Sequence, residues 1–162
     1  FAGGGTGRPI PFEQIEEADW RSSIENNLTT TFITLSAFLP AMIARGSGAI
    51  VTMASSGGRV FAGAPPGYAA AKAGVIMLTR HLAHEMGPRG IRVNCVSPST
   101  VLTPRMRTAI PEDVVQRMLL DFPMGRLGDP DDVAAATLFL LSTASSWITG
   151  LTLDIAGGHV MS

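Results

Sequence analysis

An α/β fold, in which a parallel sheet is covered by helices on both faces, is the class this sequence predicts, and three observations carry the prediction. Segments of helical period alternate with short runs that are apolar throughout, the composition of strands buried on both faces of a parallel sheet. The connections between them are short and rich in Gly, Pro and Ser, which suits helical crossovers between parallel strands. The 162 residues, 46% hydrophobic and 15% charged, amount to one domain's worth of chain with an ordinary core. Residues 1–162 are therefore expected to form a single domain.

The elements follow in order. After a glycine-rich opening and a proline-bearing loop to Phe12, Ile24, Leu28, Phe32, Leu35 and Leu39 recur at three- and four-residue spacing, which predicts a helix from about Asp19 to Ala44. Gly46-Ser47-Gly48 stops it, and Ala49 to Met53 is a short apolar strand. A Ser, Gly and Pro loop leads to a helix from Tyr68 to Met86, rich in strong helix formers and ended by Gly87-Pro88. Ile91 to Val96 is the next buried strand. An irregular helical stretch from Thr103 to Leu120, a helix from Asp129 to Ser142 and a last strand from Leu151 to Asp154 complete the chain.

Charge and cysteine content narrow the function classes. Twelve basic and thirteen acidic side chains without blocks leave no electrostatic footprint for nucleic acid or an anionic membrane, so a small-molecule partner is expected. Cys95 is alone, which rules out an intrachain disulfide and suggests a reducing, cytoplasmic setting. The longest apolar run, Val133 to Leu141, is shorter than the roughly 20 residues of a membrane span. The first residues, FAGGGTG, lack the features of a signal peptide and read like the inside of a longer chain.

One short segment concentrates unusual residues: GYAAAKAG, residues 67–74, holds the only tyrosine and the only lysine of a chain with eleven arginines. Four residues apart on a helix, Tyr68 and Lys72 share a face, with Cβ atoms about 5–6 Å apart. An ammonium roughly 4 Å from a phenolate is worth on the order of 4 kcal/mol at an effective dielectric near 20, enough to draw a phenol into general acid–base work. A compact ammonium with three donors also reaches two hydroxyls and a water together, which the planar fork of arginine does less well. Tyr-x-x-x-Lys alone equally describes a packed tyrosine beside a solvated lysine.

Two further residues extend the pattern. Ser55 stands thirteen residues before Tyr68 at the end of a strand, and Asn27 twenty-eight before Ser55 in the first long helix. Together Asn27, Ser55, Tyr68 and Lys72 resemble the Asn-Ser-Tyr-Lys tetrad of the short-chain dehydrogenase/reductase family, in its 3-oxoacyl-[acyl-carrier-protein] reductase-like group. The blocks ENNLTTTF, GAIVTMASS, GYAAAKAGV, GIRVNCVSPSTVLTP, GRLGDPDDVA and SSWITGLTLDIAGG resemble that family's blocks in its order, from about Asp19 to Gly158.

The resemblance implies a Rossmann-type doubly wound sheet and hydride transfer between NAD or NADP and a carbonyl or secondary alcohol, such as a 3-oxoacyl thioester. It implies that Tyr68 exchanges a proton with the substrate oxygen, that Ser55 donates a hydrogen bond to it, and that Lys72 holds the nicotinamide ribose and favours the Tyr68 phenolate. The Asn27 backbone would fix a water between Lys72 and solvent. Ala2, Gly3, Pro98, Val101 and Thr103 would line the cofactor, Val101 and Thr103 facing its carboxamide. A homo-oligomer, tetramer or dimer, is implied, built on the helices of Asn27 and Tyr68 and on the C-terminal strand; Thr30, Ile33, Ala37 and Ala41 form the outer face of the first helix.

The departures are specific. The family's Pro-Gly after the second strand is Pro98-Ser99, and Phe1 stands where an asparagine is usual. The glycine fingerprint and the N-terminal βαβ units are expected to be lacking, which leaves NAD and NADP unseparated. A non-catalytic scaffold or assembly subunit is the alternative if that half is truly absent. Gly3–Gly7 does not read as a phosphate cradle, because Pro9 and Pro11 follow in place of a helix N-terminus. His81 and His84 have no third ligand at metal spacing, His159 reads as a lone tail residue, and Ser55 lacks a nucleophile elbow. Met106, Met118 and Met124, with Arg105 and Arg107, fall in the stretch that would lid the substrate.

Overall fold

A computed structural model describes residues 11–161, apart from the side chains of residues 105, 107 and 109. Three parallel strands, β1 (Gly48–Met53), β2 (Ile91–Pro98) and β3 (Thr152–Ile155), lie in the order β1-β2-β3. Gly48 pairs with Ile91 and Met53 with Val96; Cys95 pairs with Thr152 and Pro98 with Ile155. All three strands therefore point their carboxyl ends the same way, and the loops after them gather on one edge of the sheet. In open α/β sheets that edge is where ligands bind.

Six α-helices lie among the described residues: α1 (Glu17–Ile24), α2 (Thr30–Arg45), α3 (Pro66–Met86), α4 (Pro104–Ala109), α5 (Glu112–Leu119) and α6 (Pro130–Leu141), of which α2, α3 and α6 pack on the sheet. Side-chain alternation along β2 sorts them. Ile91 and Val93 pack with Leu35 of α2 and with Leu82, Ala83 and Met86 of α3, while Cys95 joins Val75 and Ile76 of α3. The intervening Arg92 points the other way, to the end of α6. Both faces are thus covered, as the all-apolar strands predict.

Element ends follow local chemistry. Gly46 takes the left-handed conformation (φ 69°) that closes α2, and Pro66 occupies the first position of α3. Asp129 caps α6 in a reciprocal capping box with Asp132. The hydrogen bond from Arg126, reinforced by the Asp129 backbone N–H, lowers the Asp132 carboxyl to about 2.

The first long helix differs from expectation. Between α1 and α2 the chain makes a π-helical turn, Glu25–Thr29, so the run from Glu17 to Arg45 is continuous but not uniform. Its sequence explains why: Thr30 Oγ1 donates to the Glu25 carbonyl, Thr31 Oγ1 to that of Asn27 and Asn27 Nδ2 to that of Ser23. Such short polar side chains compete with regular helix bonding. By length and composition this helix is also long and apolar enough to cross a membrane, which unbroken apolar runs alone did not reveal. Its inward face buries Asn27 and Leu35, while Phe32, Ile33 and Phe38 are exposed.

Arg92 anchors the face opposite α3. Its guanidinium donates to the carbonyls of Leu140, Leu141, Ser142 and Ile148 and to Ser145 Oγ, satisfying the carbonyls left over at the end of α6. Arg92→Met is therefore expected to lower unfolding stability by about 3 kcal/mol, read as a reduced denaturation midpoint, while circular dichroism retains the α/β signature.

Candidate active site

β1 ends at Met53, and Ser55, in extended conformation, heads the 3₁₀ turn Ser56–Gly58. Its Oγ accepts the Gly57 N–H at 3.2 Å. The proline start of α3 places Tyr68 in the first turn and Lys72 one turn further on. Lys72 is 4% exposed; its Nζ donates to the Met53 carbonyl at 3.1 Å and lies 5.5 Å from the Tyr68 ring centroid. The two side chains share a helical face and turn toward the carboxyl end of β1.

Burial lowers the Lys72 ammonium from its ordinary 10.5, the charge interaction with the neighbouring Cys95 opposing the shift. Burial likewise pushes the Cys95 thiol up, although Thr52, the Ala54 backbone and Thr79 oppose it. The interior here favours neutral groups, so holding a lysine in it is costly.

The turn after Ser55 fits against α3 through glycines. A β-carbon at Gly58 would stand 2.7 Å from the Lys72 carbonyl carbon and from Ala73 N, closer than atoms approach, so only glycine admits this contact. One at Gly57 would touch Ser55 Oγ at 3.8 Å and Tyr68 Cε1 at 3.9 Å. Ser55 and Tyr68 therefore flank the same short stretch of backbone. Ser56 Oγ donates to Ser99 Oγ at 3.3 Å, and the Ser99 N–H donates to the Ile155 carbonyl. The serine that replaces the family's glycine thus joins the loops after β1 and β2.

Asn27 is 2% exposed within the π-helical turn, a feature frequent at functional sites. Its carbonyl accepts Thr31 Oγ1 at 2.7 Å, and its Oδ1 has no partner among the described residues. No hydrogen bond there joins it to Lys72; the neighbouring Leu28 packs on Gly74 of α3.

Beyond β2, Pro98 ends the strand and Val101 bridges to Gly128. Thr103 caps α4, its Oγ1 accepting the Met106 N–H at 3.3 Å. These residues fit the nicotinamide end of a dinucleotide: the Lys72 ammonium has three donors and one partner among the described residues, which suits a ribose diol, and the loop of Val101 and Thr103 lies at the same sheet edge. Ala2 and Gly3 fall outside the described residues, as do the side chains of Arg105 and Arg107.

The remaining candidates take other places. His81 is exposed beside Glu85, at 3.7 Å, and His84 is exposed. His159 is not a lone tail residue: its ring stacks on Phe122 with centroids 4.9 Å apart. Among the described residues no group of three or more His, Cys, Asp and Glu is placed to hold a metal ion. Met106 and Met118 are half-buried and Met124 is 67% exposed. Sequence alone did not single out the Met53 carbonyl, Gly57, Gly58 or the Arg59–Asp154 ion pair. The adjacent Gly57-Gly58 was a usable signal, whereas a backbone carbonyl carries none.

Residues 2–159 match the family described as enoyl-(acyl carrier protein) reductase. A 3-oxoacyl-[acyl-carrier-protein] reductase of Chlamydia pneumoniae is 40% identical over 145 residues, covering 90% of this chain and 58% of its own length. Human (3R)-3-hydroxyacyl-CoA dehydrogenase is 41% identical over 148 residues, covering 91% and 56%. The crystal structure of a 3-oxoacyl-[acyl-carrier protein] reductase from Brucella melitensis with bound NAD superimposes with a TM-score of 0.90 at 36% identity, covering 100% of this chain and 61% of that one. The chain thus spans less than two thirds of the length of these relatives.

A depressed Lys72 value has a definite sign. Between the folded value and 10.5 the unfolded chain binds the extra proton, so stability rises with pH across that window and falls as pH drops through the folded value. Because the sequence contains one lysine, 13C-lysine labelling yields a single ε-carbon resonance. Its titration midpoint is expected below 10.5, and Lys72→Met should remove the corresponding rise in stability; a midpoint at or above 10.5 contradicts the assignment.

Proposed function

From the premise that the chain belongs to the short-chain dehydrogenase/reductase family, we propose that it forms the catalytic part of an NAD- or NADP-dependent oxidoreductase interconverting a ketone, such as a 3-oxoacyl thioester, and its secondary alcohol. The observation that carries this reading is the buried Lys72 ammonium lying over the Tyr68 ring at the carboxyl end of β1, beside the turn headed by Ser55. The relatives named for 3-oxoacyl and 3-hydroxyacyl substrates support the substrate class.

The nicotinamide, when bound, supplies or accepts the hydride. Tyr68 gives its phenolic proton to the substrate oxygen in reduction and takes it back in oxidation. Ser55 Oγ is free to donate to that oxygen because the Gly57 N–H uses it as an acceptor, which leaves the hydroxyl proton available. Lys72 holds its ammonium over the Tyr68 ring and offers its remaining donors to the ribose. The Asn27 carbonyl holds a water leading from Lys72 to solvent, and Pro98, Val101 and Thr103 orient the carboxamide end. Each role rests on groups already fixed by packing, so little reorganisation accompanies the reaction.

The same reading has the protein act in the cytoplasm on small molecules and assemble as a dimer or tetramer through the outer face of α2. Ile33 is 57% exposed there, with Ala37 and Ala41 exposed on the same stripe, small residues suited to close helix contact.

Turnover of a ketone and alcohol panel with each cofactor tests the activity. Tyr68→Phe is expected to lower kcat about 10²–10⁴-fold with cofactor affinity retained; undiminished turnover would remove the proposed acid. Sedimentation equilibrium tests the assembly: wild type should exceed the monomer mass, and Ile33→Asp with Ala37→Asp should shift it to monomer. A monomeric wild type at micromolar concentration would refute the interface.

A further inference from the structure

We propose that Arg59 is a positioning residue that holds the Ser55 hydroxyl in register with Tyr68, acting through its ion pair with Asp154; the inference rests on the reaction proposed above. Arg59 Nη2 lies 3.1 Å from Asp154 Oδ2, with the two side chains 17% and 11% exposed. Asp154 Oδ1 has no partner among the described residues, nor have the nearby Ser97 Oγ and Thr152 Oγ1. Taking both ions out of water is offset only when geometry is good and the remaining lone pairs are satisfied. Among the described residues one carboxylate oxygen is not, so stability is a weak explanation for the pair.

Its location is informative. The Arg59 N–H donates to the Ser56 carbonyl at 2.9 Å and so closes the turn that Ser55 opens. Asp154 belongs to β3 and pairs in register with Ser97 of β2. The ion pair therefore runs across the carboxyl edge of the sheet, from the loop after β1 to the strand beyond β2. α3 bears on the turn at Gly58, and Ser99 holds it at Ser56. Arg59 supplies a third attachment, at the end of the turn opposite Ser55. Ala54, its N–H on the Val96 carbonyl, fixes the entry to the short arc from Ser55 to Arg59, and the ion pair fixes its exit. A misplacement of about 1 Å at a reacting group costs on the order of 10²-fold in rate, so slack at that exit is one the reaction registers.

The test is a kinetic cycle in the purified protein of Arg59→Met, Ser55→Ala and the double variant. Arg59→Met is expected to lower kcat on the order of 10-fold with cofactor KM unchanged. In the Ser55→Ala background it should cause no further loss, because the hydroxyl through which it acts is gone. The charge-exchanged variant Arg59→Asp with Asp154→Arg should recover part of the rate. Equal losses in both backgrounds, or an unchanged kcat in Arg59→Met, would overturn the proposal. Wild-type turnover in both Ser55→Ala and Tyr68→Phe would instead sink the reaction itself. Amide exchange then still reads the turn: Gly57 and Gly58 should exchange at least 10-fold faster in Arg59→Met, with β1 and α3 unaltered, and equal rates refute the attachment. If Arg59→Met does not fold, Arg59→Lys, which keeps the charge but loses reach, takes its place in the cycle and the exchange measurement.

Discussion

A single buried ammonium sets the terms for the rest of this structure. Lys72 is enclosed between α3 and the end of β1, with the Met53 carbonyl as its partner among the described residues, and burying a cation is costly unless its surroundings are arranged to receive it. The strand must end where a carbonyl is in reach, α3 must begin early enough to bring Tyr68 onto the same face, and the turn between them must be thin. Gly58 meets the last demand, since any side chain there would collide with the α3 backbone. The arrangement accepts an unfavourable burial in order to keep a charge beside a phenol.

The two faces of the sheet handle polarity differently. On the α3 face, Lys72, Thr52, Thr79 and Cys95 form a small polar cluster, with Thr52 and Thr79 hydroxyls 2.6 Å apart. On the α6 face, Arg92 and Asn94 are bound by backbone groups: Asn94 Nδ2 donates to the Ile148 carbonyl and its Oδ1 accepts the Leu151 N–H. Arg92 and Asn94 are thoroughly satisfied and hold the loop before β3. Lys72, with three donors, has the Met53 carbonyl as its hydrogen-bond partner among the described residues.

The π-helical turn belongs to the same economy of polar groups. A regular helix would place each amide on the carbonyl four residues back; the Asn and Thr side chains of ENNLTTT take some of those carbonyls themselves, and the helix absorbs the mismatch as one wider turn. Asn27 lies in that turn, facing inward. A local conflict between side chain and backbone is thus located at a buried polar residue.

The order of helices and strands, the parallel sheet and the covering of both its faces were determined by the sequence alone, because apolar period and Gly/Pro punctuation act locally. The candidate residues could be picked out in sequence too, since Tyr68 and Lys72 share a face by helical geometry and the family's blocks carry Ser55 and Asn27. Only the tertiary structure decided what meets those residues. The Met53 carbonyl, the contact of Gly58 with α3, the Ser56–Ser99 link and the Arg59–Asp154 pair join segments up to about a hundred residues apart in sequence. Backbone groups are identical in every residue, and an arginine or aspartate looks the same in sequence whether solvated or buried. Their roles arise only when packing chooses their neighbours.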